Sequence, residues 1–213
     1  MDQFEKQKQI IISVGREFGS GGHDIAQKVA EEFHLTFYDY NLMKQIAQEK
    51  HLDQNFVELY DETPKRPILS RTVREYSSSP AVNLAYMQFD FLREKASAGD
   101  SFVVVGRCSE EVLKDFDCLV TVFILADMDQ KIERICKRER ISPEEAKEQI
   151  HYENRRRKSY HNYYCSGKWG DSRNYELCIN SSRLGVEGTA NFIISYVCKR
   201  MGLNEKRRSC RTQ

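Results

Sequence analysis

Gln9-Ile10-Ile11-Ile12-Ser13-Val14-Gly15-Arg16-Glu17-Phe18-Gly19-Ser20-Gly21-Gly22-His23-Asp24-Ile25-Ala26 joins a β-branched apolar run to a glycine-rich turn and then to a helical pattern. That order gathers backbone N–H groups around an anion, with the positive end of the next helix behind them. The usual phosphate-binding loop reads G-x-x-x-x-G-K-[ST], and its lysine reaches the β- and γ-phosphates. With Gly21 as the last glycine of that motif, Gly22 stands where the lysine belongs. Gly19, Ser20, Gly21, Gly22, His23 and Asp24 are the expected nucleotide-contacting positions, and the missing cation must come from elsewhere. Arg16, one residue into the loop, is the first candidate and His23 the second. The same glycines also suffice for a tight turn that binds nothing. The strand before and the helix after favour the phosphate reading.

The 213-residue chain is long enough for one large domain carrying insertions. A hydrophobic content of 40% beside 31% charged residues is that of a soluble globular protein. A net charge of +1 gives no general attraction to nucleic acid or to a membrane surface. No apolar run approaches the roughly 20 residues of a membrane-spanning helix, and Met1–Lys6 lacks the apolar core of a signal peptide. Seven cysteines (Cys108, Cys118, Cys136, Cys165, Cys178, Cys198 and Cys210) include no C-x-x-C pair. That spacing suggests neither zinc nor a disulfide framework, so reduced thiols and a cytoplasmic location are expected.

Strands and helices alternate along the chain. Ile10–Val14 reads as a strand, and Asp24–Phe33 as a helix with Ile25, Val29 and Phe33 on one face. Thr36–Tyr38 is a short strand ending at Asp39, and Leu42–Glu49 is helical. Ser101–Val105 runs straight into Gly106-Arg107. Cys118–Leu125 is too apolar on both faces for a sheet edge, Tyr175–Ile179 is a fifth strand, and Val186–Arg200 is a closing helix. Doubly buried strands separated by helices imply a parallel sheet with right-handed crossovers. Two segments interrupt the alternation. Residues 40–100 hold Pro64, Pro67, Pro80 and a helix over Ala81–Ala96. Residues 127–174 hold a charged helical pair, the second helix opening at Ser142-Pro143-Glu144-Glu145 with serine as N-cap.

Several stretches together are specific. They are Gly15–Gly22 followed by a helix, Phe37-Tyr38-Asp39, Val104-Val105-Gly106-Arg107, Arg134 through Arg140, Glu153-Asn154-Arg155-Arg156, and Trp169-Gly170-Asp171 through Tyr175–Asn180. On these residues the chain resembles the cytidylate kinase-like family, a divergent branch of the nucleoside monophosphate kinases. The resemblance implies a five-stranded parallel P-loop kinase core (9–39, 101–126 and 175–202) within a single domain, 1–213. An inserted monophosphate-binding region (40–100) and a helical lid with its following loop (127–174) complete it. It implies transfer of the γ-phosphoryl of ATP, with Mg2+, to a nucleoside monophosphate, with CMP or dCMP as first guess. Its partners are small nucleotides, not nucleic acid or membrane. The competing reading is a non-catalytic nucleotide- or anion-binding P-loop protein, because the lysine is lost.

Phosphoryl transfer needs positioning and charge neutralisation more than covalent chemistry, which suits arginines on two phosphates and on a closing lid. The resemblance places Arg107 on the acceptor phosphate; alternatively it is a surface arginine opening a loop. Glu153 and Arg156 match a lid Asp-x-x-Arg element with glutamate for aspartate, a spacing that an ordinary i,i+3 ion pair also produces. Arg134, Arg138 and Arg140 either contact phosphates from the lid or are solvated charges, and Arg16, Arg138 and Arg156 are the expected catalytic set. Asp39 orients substrate or metal, or caps a helix. Tyr40 and Gln45 depart from cytidylate kinases, which leaves the base open. Tyr160, Tyr163, Tyr164 and Trp169 either stack on a base or pack beneath the lid.

Overall fold

The computed structural model describes residues 8–39, 41, 42, 46, 72, 73, 76, 77 and 80–203. Ile11–Arg16 (β1), Thr36–Tyr38 (β2), Phe102–Val105 (β5), Leu119–Leu125 (β6) and Leu177–Asn180 (β7) form one sheet in the order β2-β5-β1-β6-β7. Every pairing in it is parallel. Thr72–Val73 (β3) and Tyr76–Ser77 (β4) pair antiparallel as a separate two-stranded ladder.

The alternation expected from sequence is present, with shifted ends. β1 extends to Arg16 because its register with β6 continues through Gly15↔Phe123 and Arg16↔Ile124. Gly15 permits this: a β-carbon there would lie 2.7 Å from the Phe123 ring and 3.2 Å from Tyr175. Helix α1 (Gly22–Phe33) starts two residues earlier than periodicity suggested, with Gly21 as a left-handed N-cap. The Ala81–Ala96 helix is Pro80–Ser97 (α2). Of the helix expected over Leu42–Glu49, Leu42 and Ile46 are helical and the rest lie outside the described residues.

The apolar strands bury both faces. On one, Ile11, Phe102 and Val104 meet Leu84, Phe91 and Leu92 of α2 and Leu113. On the other, Ile12, Val14, Val103 and Val122 meet Ile25 and Val29 of α1, with Ile193 and Val197 of α6 (Ser181–Met201). Each fully buried aliphatic side chain contributes about 1.5–3 kcal/mol, so these two layers fix the sheet. Helix α6 breaks at Gly185 (φ 66°, ψ −175°), and the expected helix from Val186 is its second part.

A smaller cluster, Ile135, Ala146 and Ile150 with Phe18 packed on it, joins α4 (Met128–Glu139) to α5 (Pro143–Tyr164). The link turns at Arg140, in left-handed conformation (φ 59°). Ser142 and Glu145 then form a reciprocal capping box that starts α5. A short helix, α3 (Ser109–Val112), follows β5. No helix among the described residues is long and apolar enough to cross a membrane.

Candidate active site

The glycine loop leaves β1 at its C-terminal end, where open α/β sheets place ligands. Gly19 and Gly21 take left-handed backbone angles (φ 80° and 76°). Ser20 Oγ donates to Glu17 O at 2.8 Å and accepts from Gly22 N at 3.3 Å, so its hydroxyl is engaged inside the loop. Ser181 Oγ at the start of α6 donates to Ser20 O at 2.6 Å, tying the loop to the sheet's far side.

Arg16 crosses this loop. Its stem lies against Gly22, and its guanidinium occupies the space that a β-carbon on Gly106 would need. The Arg16 side chain thus runs past Gly22 toward Gly106. His23 takes another course: its Nε2 lies 3.0 Å from Asp39 Oδ2, and its ring packs edge-on against Phe37. Asp39 is buried, and its other oxygen accepts from Asn41 N at 2.8 Å. Asp24 is exposed at the helix start, 3.5 Å from His23 Nδ1.

The α4–α5 pair sits on the loop. Arg134 Nη1 donates to Gly19 O, and the Arg134 guanidinium lies within 3.3 Å of where a Gly21 β-carbon would stand. Lys131, almost fully buried, pairs with Glu17 Oε2 at 2.8 Å. Asn154 Oδ1 accepts from Phe18 N at 2.7 Å, and the guanidinium carbons of Arg138 and Arg157 sit 5.1 and 5.4 Å from the Phe18 ring centroid. Arg157 Nη1 donates to Arg16 O at 3.2 Å.

Between loop, α5 and the β5–α3 connection lies a half-open cleft. Arg16, Arg107, Arg156 and Arg157 line it, with Tyr160, Trp169 and Tyr175 as apolar walls. Arg107 is buried at 4% exposure in a left-handed conformation (φ 61°), as is Cys108 (φ 54°). Non-glycine residues there cost about 1–3 kcal/mol each and persist where their surroundings fix them.

Behind the arginines, His161 Nε2 lies 2.5 Å from Glu110 Oε1, and the Tyr175 hydroxyl donates to the same oxygen at 3.3 Å. Burial alone would lower the His161 pKa, but hydrogen bonds to Cys165 and Glu110, with their charges, carry it up to about 10. The hydrogen bond with Cys108, reinforced by His161 against burial, brings Cys165 down to about 7. The same bond and burial push the Cys108 thiol up. Burial, with the Glu110 charge, also raises Tyr175.

A family model described as the cytidylate kinase-like family matches residues 11–183. The chain belongs to that family. It is 29% identical to a cytidylate kinase of Pyrococcus horikoshii over 182 residues, 84% of each protein. A crystal structure of an uncharacterized protein from Eubacterium ventriosum superposes with a TM-score of 0.71 at 36% identity, covering 89% of this chain and 98% of that one. A gluconokinase from Sinorhizobium meliloti (TM-score 0.56, 12% identity, 96% and 99% covered) shares the fold. So does a shikimate kinase from Bacteroides thetaiotaomicron (0.52, 14%, 88% and 98%). The fold is thus that of the P-loop kinases.

In this cytidylate kinase-like chain, the cleft brings together Arg16, Arg107 and Arg156 from three separate stretches of sequence. Arg156 also pairs with Glu153 at 3.3 Å, so the i,i+3 ion pair and the cleft position are both present. Arg138 stands apart: it is exposed, its Nε pairs with Glu139 at 2.8 Å, and it stacks on Phe18. His23 and Asp39 face each other, not the Gly22 position. Tyr160 and Trp169 line the cleft, whereas Tyr164 packs against Phe89 and Tyr160, with Tyr163 at its edge. Tyr40 and Gln45 lie outside the described residues. Sequence reasoning missed Arg157, His161, Glu110 and Lys131. Three residues of α5, Asn154, Arg157 and His161, follow helical spacing from buried Ile150 and form one inward stripe. That spacing was the available signal.

Proposed function

We propose that this protein transfers the γ-phosphoryl of ATP to a nucleoside monophosphate, with CMP or dCMP as the first acceptor to test. The observation that carries this reading is the four-arginine cleft beside the glycine loop, at the C-terminal ends of β1 and β5. Four arginines lining one opening suit an acceptor phosphate and the charge that develops during transfer.

The division of labour follows from position. Loop residues Gly19 to Asp24 and the start of α1 hold the donor phosphates, with Arg134 as their cation from α4. Arg107 and Arg156 hold the acceptor phosphate, and Arg16 lies between the two sides. In transfer, an oxygen of the acceptor phosphate bonds to the γ-phosphorus as the bond to the ADP oxygen breaks. Arg16 and Arg156 offset the charge on the moving group. Mg2+ takes one or two protein carboxylates and fills its shell with water and phosphate oxygens. Asp24, exposed at the start of α1, would supply one such carboxylate, and the ion would neutralise the donor phosphates. Residues 127–174 act as lid and 40–100 as acceptor-side insertion of one domain, in a cytoplasmic enzyme working on small nucleotides.

ADP release measured over a panel of nucleoside monophosphates, beside calorimetric ATP binding, tests this. Turnover with a pyrimidine monophosphate is expected. ATP binding without turnover for any acceptor would replace the reading with a non-catalytic nucleotide-binding protein.

A further inference from the structure

Glu110, His161 and Cys165 each offer one ligand atom, and these atoms lie within 4.8 Å of one another. Cys108, two residues before Glu110, hydrogen-bonds Cys165. We propose that these residues form a binding site for one zinc-like divalent ion, which fastens the β5–α3 connection to the base of α5. The site opens on the cleft of the phosphotransfer reading, but its test reads metal uptake and not phosphotransfer.

The donor chemistry selects the ion. Two sulfurs, an imidazole nitrogen and a carboxylate oxygen suit Zn2+, which accepts all three donor types in tetrahedral geometry. Mg2+ and Ca2+ require oxygen donors. The spacing also fits: His161 and Cys165 stand one helical turn apart at the end of α5, and Glu110 faces them. Cys108 lies outside that group of ligand atoms and joins as the fourth donor when its side chain turns toward the ion. The Glu110 and His161 side chains are each only 7% exposed. Tyr175 orients the Glu110 carboxylate through its hydroxyl, as an outer partner of a metal ligand does. Bonds of about 2.0–2.3 Å separate tetrahedral ligand atoms by more than the 2.5 Å His161–Glu110 contact, so binding opens that contact.

The backbone is a second observation. Gly106, Arg107 and Cys108 are consecutive left-handed residues (φ 75°, 61° and 54°), two of them not glycine. Ligation through Cys108 and Glu110 would hold this sparsely populated turn in place. On binding, both thiol protons leave to solvent. Zn2+ with two thiolates and one carboxylate carries a net negative charge, which Arg107 and Arg157, lining the same cleft as Glu110 and His161, offset.

The full chain, stripped by chelator under reductant, should take up one Zn2+ per chain in equilibrium dialysis. Co2+ in its place should give a thiolate-to-metal charge-transfer band. Cys108→Ser/Cys165→Ser should lose this uptake, and His161→Gln should weaken it by roughly tenfold or more. Cys178→Ser, removing an exposed thiol, should leave it unchanged. No uptake, uptake that survives the double substitution, or a Co2+ spectrum without sulfur ligation overturns the proposal. The Co2+ spectrum of the unmodified chain decides the matter if the variants do not fold.

Discussion

A β-carbon at position 22 would stand 2.6 Å from the β-carbon of Arg16. Glycine at the motif's lysine position thus leaves room for the arginine at the strand end, six residues earlier in sequence. Gly22→Lys alone should overpack the loop, destabilising the fold by about 1–3 kcal/mol. Arg16→Ala should weaken ATP binding at least tenfold. The pair Arg16→Gly/Gly22→Lys, which removes the clashing β-carbon, should recover part of both losses. Melting curves and calorimetry read all three, and a fully tolerated Gly22→Lys would contradict the steric exchange.

Arg107→Ala should weaken acceptor binding or turnover by roughly 10- to 150-fold, the equivalent of one charge-assisted hydrogen bond of about 1.5–3 kcal/mol. ATP affinity should change little. Steady-state kinetics with a working acceptor separate the two, and unaltered kinetics would remove Arg107 from the acceptor side.

Phe18 is the apolar pin between loop and helix pair, held by Asn154 and stacked by Arg138 and Arg157. Each stacking contact is worth about 0.5–1 kcal/mol at a partly exposed site. Phe18→Ala should raise amide exchange across Pro143–Arg157 while leaving β1 and β6 protected. Exchange spreading equally into the sheet would mean that Phe18 supports the whole fold.

The same segment should exchange more slowly with saturating nucleotide than without it, as lids that close on phosphates do. Identical exchange in both conditions would count against a lid.

Ser142 caps α5 and receives Glu145 in return. Ser142→Ala should cost about 1 kcal/mol, seen as a lower melting temperature with no change in nucleotide affinity, because the cap lies far along the helix from the cleft.

The sheet was legible because its central strands are buried on both faces and read as unbroken apolar runs: Phe102–Val105 and Leu119–Leu125 declare themselves without partners. The glycine loop was legible for a related reason, since it must follow such a strand. The end of β1 was not. Gly15 signals a turn in sequence, yet it continues the strand because two aromatic rings close over it. The floor of the cleft was hidden more deeply. Glu110, His161 and Cys165 are separated by up to 55 residues and meet only when α5 folds back beside β5. On a helix as polar as α5, Asn154, Arg157 and His161 resemble a solvated face. Residue type alone does not distinguish them from Lys158 or Glu148, which are exposed; only their helical spacing from buried Ile150 does.

Helix α5 runs unbroken for 22 residues from the Ser142 cap to Cys165, a rod of about 33 Å. Its base is anchored among Tyr160, Tyr164 and Cys165 in the core. Pivoted there, the rod is a lever with the arginines close to the fulcrum. A tilt of about 10° carries the Ser142 end through roughly 6 Å but Arg156 through only about 2 Å. In the lid motion proposed for residues 127–174, the guanidinium groups of Arg156 and Arg157 would thus stay near the cleft while the Ser142 end moves most.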